Sequence, residues 1–201
     1  MRLGILGGTF DPIHFAHLLV AEDARVQIGL DRVLFIPNGT PAHKSAAETT
    51  SPEHRVAMVE RAVRANPAFE ASRLEIDREG PSYTADTLAA LHEANPGADL
   101  FFLTGSDAVA EIATWHRPAE VLRLSTIVVA ARPGYSLDWL CGVLEPRYME
   151  RLVPLTSAYL DISATAIRER ARCGLPVRYL TPDPVAAYIS EQRLYRATPV
   201  P

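Results

Sequence analysis

The sequence is almost without lysine: Lys44 is the only one in 201 residues, and the other basic residues are arginines. Acidic residues outnumber basic ones, 24 to 20, for a net charge of −4. That balance excludes a general attraction to nucleic acid, so a nucleotide site would have to concentrate its positive charge locally. Cysteine is nearly absent. Cys141 and Cys173 form no Cys-x-x-Cys pair and have no histidine at ligand spacing, which excludes a disulfide framework and a thiolate metal centre. Two buried thiols in a reducing cytoplasm are the expectation. No apolar run is long enough to span a bilayer. The N-terminus lacks the charged region, apolar core and cleavage site of a signal peptide in that order. A cytoplasmic protein with no membrane partner and no nucleic-acid partner is expected.

Several motifs are also missing. There is no Gly-x-x-x-x-Gly-Lys-Ser/Thr loop, which excludes a P-loop enzyme, and no Gly-x-Gly-x-x-Gly, which weakens a dehydrogenase reading. No nucleophile–base pair presents itself for a covalent intermediate, no all-protein metal site stands out, and there is no internal repeat or low-complexity segment.

What is present is a chain 48% hydrophobic, enough for one well-packed α/β domain over 1–201 whose helical C-terminal part starts near residue 160. Apolar β-branched runs at 1–6, 32–37, 98–105 and 126–131, and an alternating run at 69–76, read as five strands. A sixth short edge strand fits 151–155, where Pro154 is tolerated. Helical spacing fits 18–28, 52–65, 84–95, 120–124, 163–173 and 182–195, with Gly29, Asn66-Pro67 and Gly174 as stops. In the second of these, Ser51-Pro52-Glu53 supplies the start and Val56, Met58, Val59 and Val63 the apolar stripe. Strands alternating with helices predict a Rossmann-like, doubly wound parallel sheet with helices on both faces.

The most informative stretch joins the first strand to the first helix: Gly7-Gly8-Thr9-Phe10-Asp11-Pro12-Ile13-His14-Phe15-Ala16-His17. Gly7-Gly8 lets backbone approach a ligand closely. Asp11-Pro12 keeps the helix from beginning before about residue 12. His14 and His17, three apart, share a face of the helix start. Helix-start amides favour anions, and two imidazoles there add donors, so the turn suits phosphate; on the residues alone a mere tight connection, a metal-binding pair or ordinary polar histidines stay open beside it. Elsewhere the residues leave two readings open. His43-Lys44 lies in a long irregular loop over 38–50 and is either a solvated tip or a phosphate contact. Ser82 and Thr84 are natural caps for the helix that follows. Asp107, just past a strand, either caps a helix or holds ribose hydroxyls. Trp115 is either a core cover or a stacking platform. Ser163 is an N-cap, with Thr165 and Arg168 on one face of its helix. The two strongest motifs lie far apart in sequence, and they converge only if their strands meet at a switch point.

Taken together, the Gly-Gly-Thr-Phe-Asp-Pro-Ile-His-x-x-His string and the Ile162-Ser163-x-Thr165-x-Ile167-Arg168 string resemble the two signatures of the His-x-Gly-His nucleotidyltransferase superfamily. More narrowly, they resemble the nicotinate-mononucleotide adenylyltransferases. Ala16 departs from the motif's usual Gly and sets one extra methyl beside the phosphate site. The resemblance implies direct adenylyl transfer from ATP to nicotinate mononucleotide, giving deamido-NAD and pyrophosphate, with Mg²⁺ carried by the triphosphate. It implies catalytic roles for His14, His17, Lys44 and Arg168. It implies ATP contacts from Gly7, Gly8, Thr9, Phe10, His14, His17, Gly105, Asp107, Ile162, Ser163, Thr165 and Arg168. For the pyridine nucleotide it implies His43, Lys44, Tyr83, Thr84, Ala85, Trp115, His116 and Arg132, with the helix-start amides near Thr84 receiving the carboxylate. Nicotinamide mononucleotide or phosphopantetheine as acceptor, and a non-catalytic nucleotide-binding domain, are the alternatives. A homo-oligomer is left open.

Overall fold

A computed structural model describes residues 1–41, 49–131 and 137–196. The chain runs β1 (Arg2–Gly8), α1 (Phe15–Ile28), β2 (Arg32–Pro37), β3 (Thr40–Pro41), α2 (Pro52–Val63), β4 (Phe69–Ala71), β5 (Pro81–Ser82), α3 (Thr84–Ala94), β6 (Asp99–Gly105). It continues through α4 (Ser106–Ala110), α5 (Pro118–Leu124), β7 (Ser125–Ala130), α6 (Leu137–Val143), α7 (Pro146–Met149), β8 (Leu152–Leu155), α8 (Ala164–Arg172) and α9 (Asp183–Glu191). Six strands form one sheet in the order β4-β2-β1-β6-β7-β8. Every neighbouring pair in it is parallel. The order reverses between β1 and β6, so the switch point lies at the end of the first strand.

The side-chain alternation of the strands sorts the core into two layers. Leu6, Val33, Phe35, Phe101, Leu103 and Val128 face one way and pack under α1, α2, α8 and α9. Leu3, Ile5, Leu34, Ile36, Leu100, Phe102 and Ile127 face the other, under α3, α5, α6 and α7. Both faces are therefore apolar, which is why these strands read as continuous hydrophobic runs. Each fully buried aliphatic side chain contributes roughly 1.5–3 kcal/mol.

Four expectations are corrected. The strand expected over 69–76 stops at Ala71. Beyond it Arg73 accepts Ile76 N at 2.8 Å and Asp77 N at 2.9 Å through its carbonyl, a turn that buries Glu75 more deeply than its half-buried apolar neighbours Leu74 and Ile76. The helix expected over 182–195 ends at Glu191, and a turn with positive φ at Arg193 and Tyr195 carries the chain back. Neither Ser82 nor Thr84 caps α3: Tyr83 is the N-cap residue, without a side-chain cap bond, and Ser82 Oγ accepts Gly39 N at 3.0 Å. The two thiols are exposed, not buried. Leu140 turns α6 inward and leaves Cys141 outside, and Cys173 lies past the last buried residue of α8, Ala171.

Candidate active site

The turn after β1 is bolted down from several directions. Its Asp11–Pro12 peptide is cis, and Phe10 takes a positive φ of 49° with its ring almost fully buried. A bulky residue in that region is strained, and such strain persists only where surrounding contacts enforce it. Here they do. The Asp11 carboxylate, 3% exposed, accepts Thr50 N at 3.0 Å and the Tyr195 hydroxyl at 2.7 Å. Burial, and then the Asp11 charge, push the Tyr195 phenol above its ordinary value, so it stays a donor. Thr181 Oγ1 donates to Ile13 O at 2.7 Å, and Phe15 N donates to Leu180 O at 3.1 Å. The backbone on either side of His14 is thus held by the segment ahead of α9.

The helix begins at Phe15 with His14 as N-cap. His17 takes the N3 position and reaches back: its Nδ1 accepts the His14 backbone N–H at 3.2 Å, as a capping-box Glu or Gln would. A backbone N–H can only donate, so Nδ1 is the acceptor and the ring proton belongs on Nε2. The two imidazoles stack at 3.7 Å, and Phe10 meets His17 edge-on at 5.1 Å. The shared face expected from the spacing is present.

The second motif arrives by a different route from the expected one. β8 does not meet β1; β6 and β7 stand between them. The segment 156–163 crosses back along α1 instead. Gln27 Nε2 donates to Thr156 O at 2.5 Å, Thr156 N donates to Gln27 Oε1 at 3.2 Å, and Ser157 Oγ bonds Asp23 at 2.5 Å. Ser163 then caps α8, accepting Ala166 N at 3.1 Å. Arg168 donates to Asp11 O at 2.7 Å and to Thr165 Oγ1 at 3.2 Å, which locks the two motifs together.

Between them opens a cavity of about 750 Å³. Thr9, Phe10, His14, Ala16, His17, Gly105, Ile162, Ser163, Thr165 and Arg168 line it. Gly7 and Gly8 face a second cavity, of about 190 Å³, on the other side of the turn, which Thr84, Asn38, Glu75, Thr87 and Phe102 also line. Asp107 lines neither; it sits half-buried in the first turn of α4. Trp115 packs edge-on against Phe102 at 5.9 Å, half-buried behind the smaller cavity. Tyr83 and His116 stack at 4.3 Å beside the start of α3, and the Ala85 side chain is fully buried in the core. His43, Lys44 and Arg132 lie outside the described residues.

Three groups escaped the sequence reading. Arg55 is 1% exposed on α2 and donates to Thr50 O, Thr9 O, Asn38 Oδ1 and Gly39 O at 3.0–3.1 Å. Burial pushes its guanidinium below the usual value while Asp11 and Tyr195 oppose this, and arginine stays charged throughout. Its signal was available: it falls on the apolar stripe, one turn before Val59. Glu75 is 7% exposed beside the smaller cavity, its carboxyl raised by burial against hydrogen bonds from Thr87 (2.6 Å) and Ser82. Gly39 is required there, because a Cβ would sit 2.2 Å from Glu75 O. Arg117 pairs with Asp86 on α3 and with Glu120 on α5 at 2.9 Å, joining the starts of the two helices.

An all-parallel, doubly wound sheet with a histidine turn after β1 and a capped Ser-x-Thr-x-x-Arg helix over the same cavity defines the nucleotidyltransferase class. Residues 5–170 match the cytidylyltransferase-like family, to which the chain belongs. Within it the similarity is narrower. Curated relatives named "Probable nicotinate-nucleotide adenylyltransferase" include one from Herpetosiphon aurantiacus, 45% identical, covering 98% of this chain and 99% of the relative. Another, from Corynebacterium kroppenstedtii, is 48% identical over 96% of this chain and 90% of its own. A solved Plasmodium falciparum nicotinic acid mononucleotide adenylyltransferase, complexed with NaAD, shares the fold. It superposes with a TM-score of 0.75 at 17% identity, over 96% of this chain and 97% of that one.

Proposed function

We propose that this chain catalyses the reaction its relatives are named for: transfer of the adenylyl group of ATP to nicotinate mononucleotide, giving deamido-NAD and pyrophosphate. The observation that carries the proposal is the single cavity in which the histidine turn and the Ser163–Arg168 helix start meet. Near-full-length similarity to nicotinate-nucleotide adenylyltransferases supports the choice of substrates.

The acceptor's phosphate is already an anion and needs no general base. The difficulty is to bring two anions together and to steady charge on the α-phosphate and the leaving pyrophosphate, a task for positioning and electrostatics. ATP's phosphates lie against His14 and His17 on one side and against Ser163, Thr165 and Arg168 on the other. The Nε2 proton of His17 serves the transferring phosphate. The nicotinate ring lies toward Trp115, its carboxylate at the start of α3, where the side chain of the N-cap Tyr83 makes no cap bond. Lys44, His43 and Arg132 complete the positive charge in this scheme.

Mg²⁺ belongs to the proposal as a companion of the triphosphate. Among the described residues no group of three His, Cys, Asp or Glu is placed to hold an ion, so the phosphate oxygens supply most of its ligands. Bound there, it would neutralise charge on the leaving pyrophosphate.

The test is pyrophosphate release from ATP and Mg²⁺ with nicotinate and nicotinamide mononucleotides in parallel. A strong preference for the acid supports the carboxylate pocket at α3. Equal use, or preference for the amide, keeps the chemistry and removes the pocket. No release with either overturns the proposal and favours another acceptor or a binding role.

A further inference from the structure

The guanidinium of Arg55 touches both cavities' walls without lining either. Its bond to Thr9 O (3.0 Å) holds the histidine turn, and its bond to Thr50 O (3.0 Å) holds the residue beside Thr49; Thr9 and Thr49 line the larger cavity. Its bonds to Asn38 Oδ1 (3.1 Å) and Gly39 O (3.1 Å) hold the end of β2; Asn38 lines the smaller cavity, and Gly39 abuts Glu75. All four acceptors are neutral, and among the described residues no carboxylate is hydrogen-bonded to this buried charge. The Asp11 carboxylate favours this charge against its burial, and is itself tied to Thr50 and Tyr195. A planar group with a rigid fork of donors fixes relative positions in a way that a flexible ammonium cannot.

We propose that Arg55 is a positioning residue that sets the distance between the two cavities, and so between the donor and acceptor nucleotides, by bracketing the histidine turn against the end of β2. The proposal rests on the two-substrate reading above for what the cavities hold. In-line transfer is sensitive to that distance, since a misplacement of about 1 Å can cost ~100-fold. Each nucleotide's own contacts lie elsewhere, so binding of either one alone is spared.

The experiment compares wild type with Arg55→Lys, which keeps the charge and loses the fork. Amide hydrogen exchange is read first, because it does not depend on activity. The expected result is faster exchange confined to residues 9–11, 38–40 and 49–50, with β1, β6 and β7 unchanged. Uniformly faster exchange, or none, overturns the proposal by making Arg55 an ordinary stabilising residue or a bystander. Steady-state kinetics follow with ATP and nicotinate mononucleotide. Expected is a fall in kcat of roughly 30- to 100-fold, with the KM for each substrate within about threefold. Unchanged kcat, or a loss confined to KM, overturns it. Should Arg55→Lys not fold, Asn38→Ala removes one acceptor of the bracket; because Asn38 itself lines the smaller cavity it is read by hydrogen exchange alone, with faster exchange confined to residues 9–11, 38–40 and 49–50 expected and uniformly faster or unchanged exchange overturning the proposal. A wild type that is inactive in the assay sinks the reading of function and leaves the exchange result to decide the role of Arg55.

Discussion

The two phosphate motifs are built on opposite principles. The histidine turn is buried and over-determined: Asp11 and His14 are nearly sealed, and Arg55, Thr50, Tyr195, Thr181 and Leu180 grip it from three separate segments. The Ser163–Arg168 helix start keeps Ile167 in the core but turns Ser163 and Thr165 to solvent, and its polar groups are held by its own cap and by one reach to Asp11. The difference fits their tasks. A group that must meet charge appearing only in the transition state profits from being fixed beforehand, because no reorganisation is then left to do. A group that first meets a mobile, solvated triphosphate profits from access.

The contrast predicts a graded series. His17→Ala is expected to lower turnover by ~100-fold or more, the scale of losing one preorganised donor, with far-UV circular dichroism unchanged. Near-normal pyrophosphate release would place the critical donor elsewhere and erase the contrast. Tyr195→Phe removes a hydrogen bond to a buried carboxylate and is expected to cost about 2 kcal/mol of stability in urea unfolding. A cost near zero would mean the turn is not gripped from the C-terminal side. Ser163→Ala removes only a helix cap, for about 1 kcal/mol, less than Tyr195→Phe despite the motif's prominence. The reverse ranking would break the comparison.

The smallest effect concerns pH. Burial holds the Glu75 carboxyl above its ordinary 4.5, so the folded chain keeps that proton at pH values where the unfolded chain has lost it. Stability attached to this group is therefore present at acid pH and declines as pH rises past 4.5 toward the folded value. Glu75→Gln cannot ionise and is expected to flatten that decline. Melting curves of wild type and variant that stay parallel from pH 4.5 upward would remove Glu75 as its cause.

Much of this was legible in the sequence because it is local. The Gly7–Gly8 exit from β1, the stop at Gly29, the pairing of His14 with His17 and the cap at Ser163 all depend on residues within four positions of one another. The layers of helices on both faces were legible because strands alternate with helices along the chain. What escaped depends on chain returning from far away. Tyr195 meets Asp11 only because α9 ends early. The segment 156–163 reaches the turn by following α1, so the motifs converge without adjacent strands. Glu75 looked like the polar half of an alternating strand until a turn reversed its facing. Arg55 sat in view on an apolar stripe, but its four acceptors are backbone and amide groups brought together by the end of β2 and the approach to α2. No pattern of side chains announces them.

The grip on the histidine turn has a consequence for how the molecule is made. Synthesis delivers residues 11–15 well before residues 180–195. The hydroxyls of Thr181 and Tyr195 reach back to Ile13 and Asp11 across 168 and 184 positions of sequence. A nascent chain can therefore pair most of its sheet while its signature motif is still loosely held. A motif written early in the chain is thus finished only when residues 181 and 195 arrive to hold it.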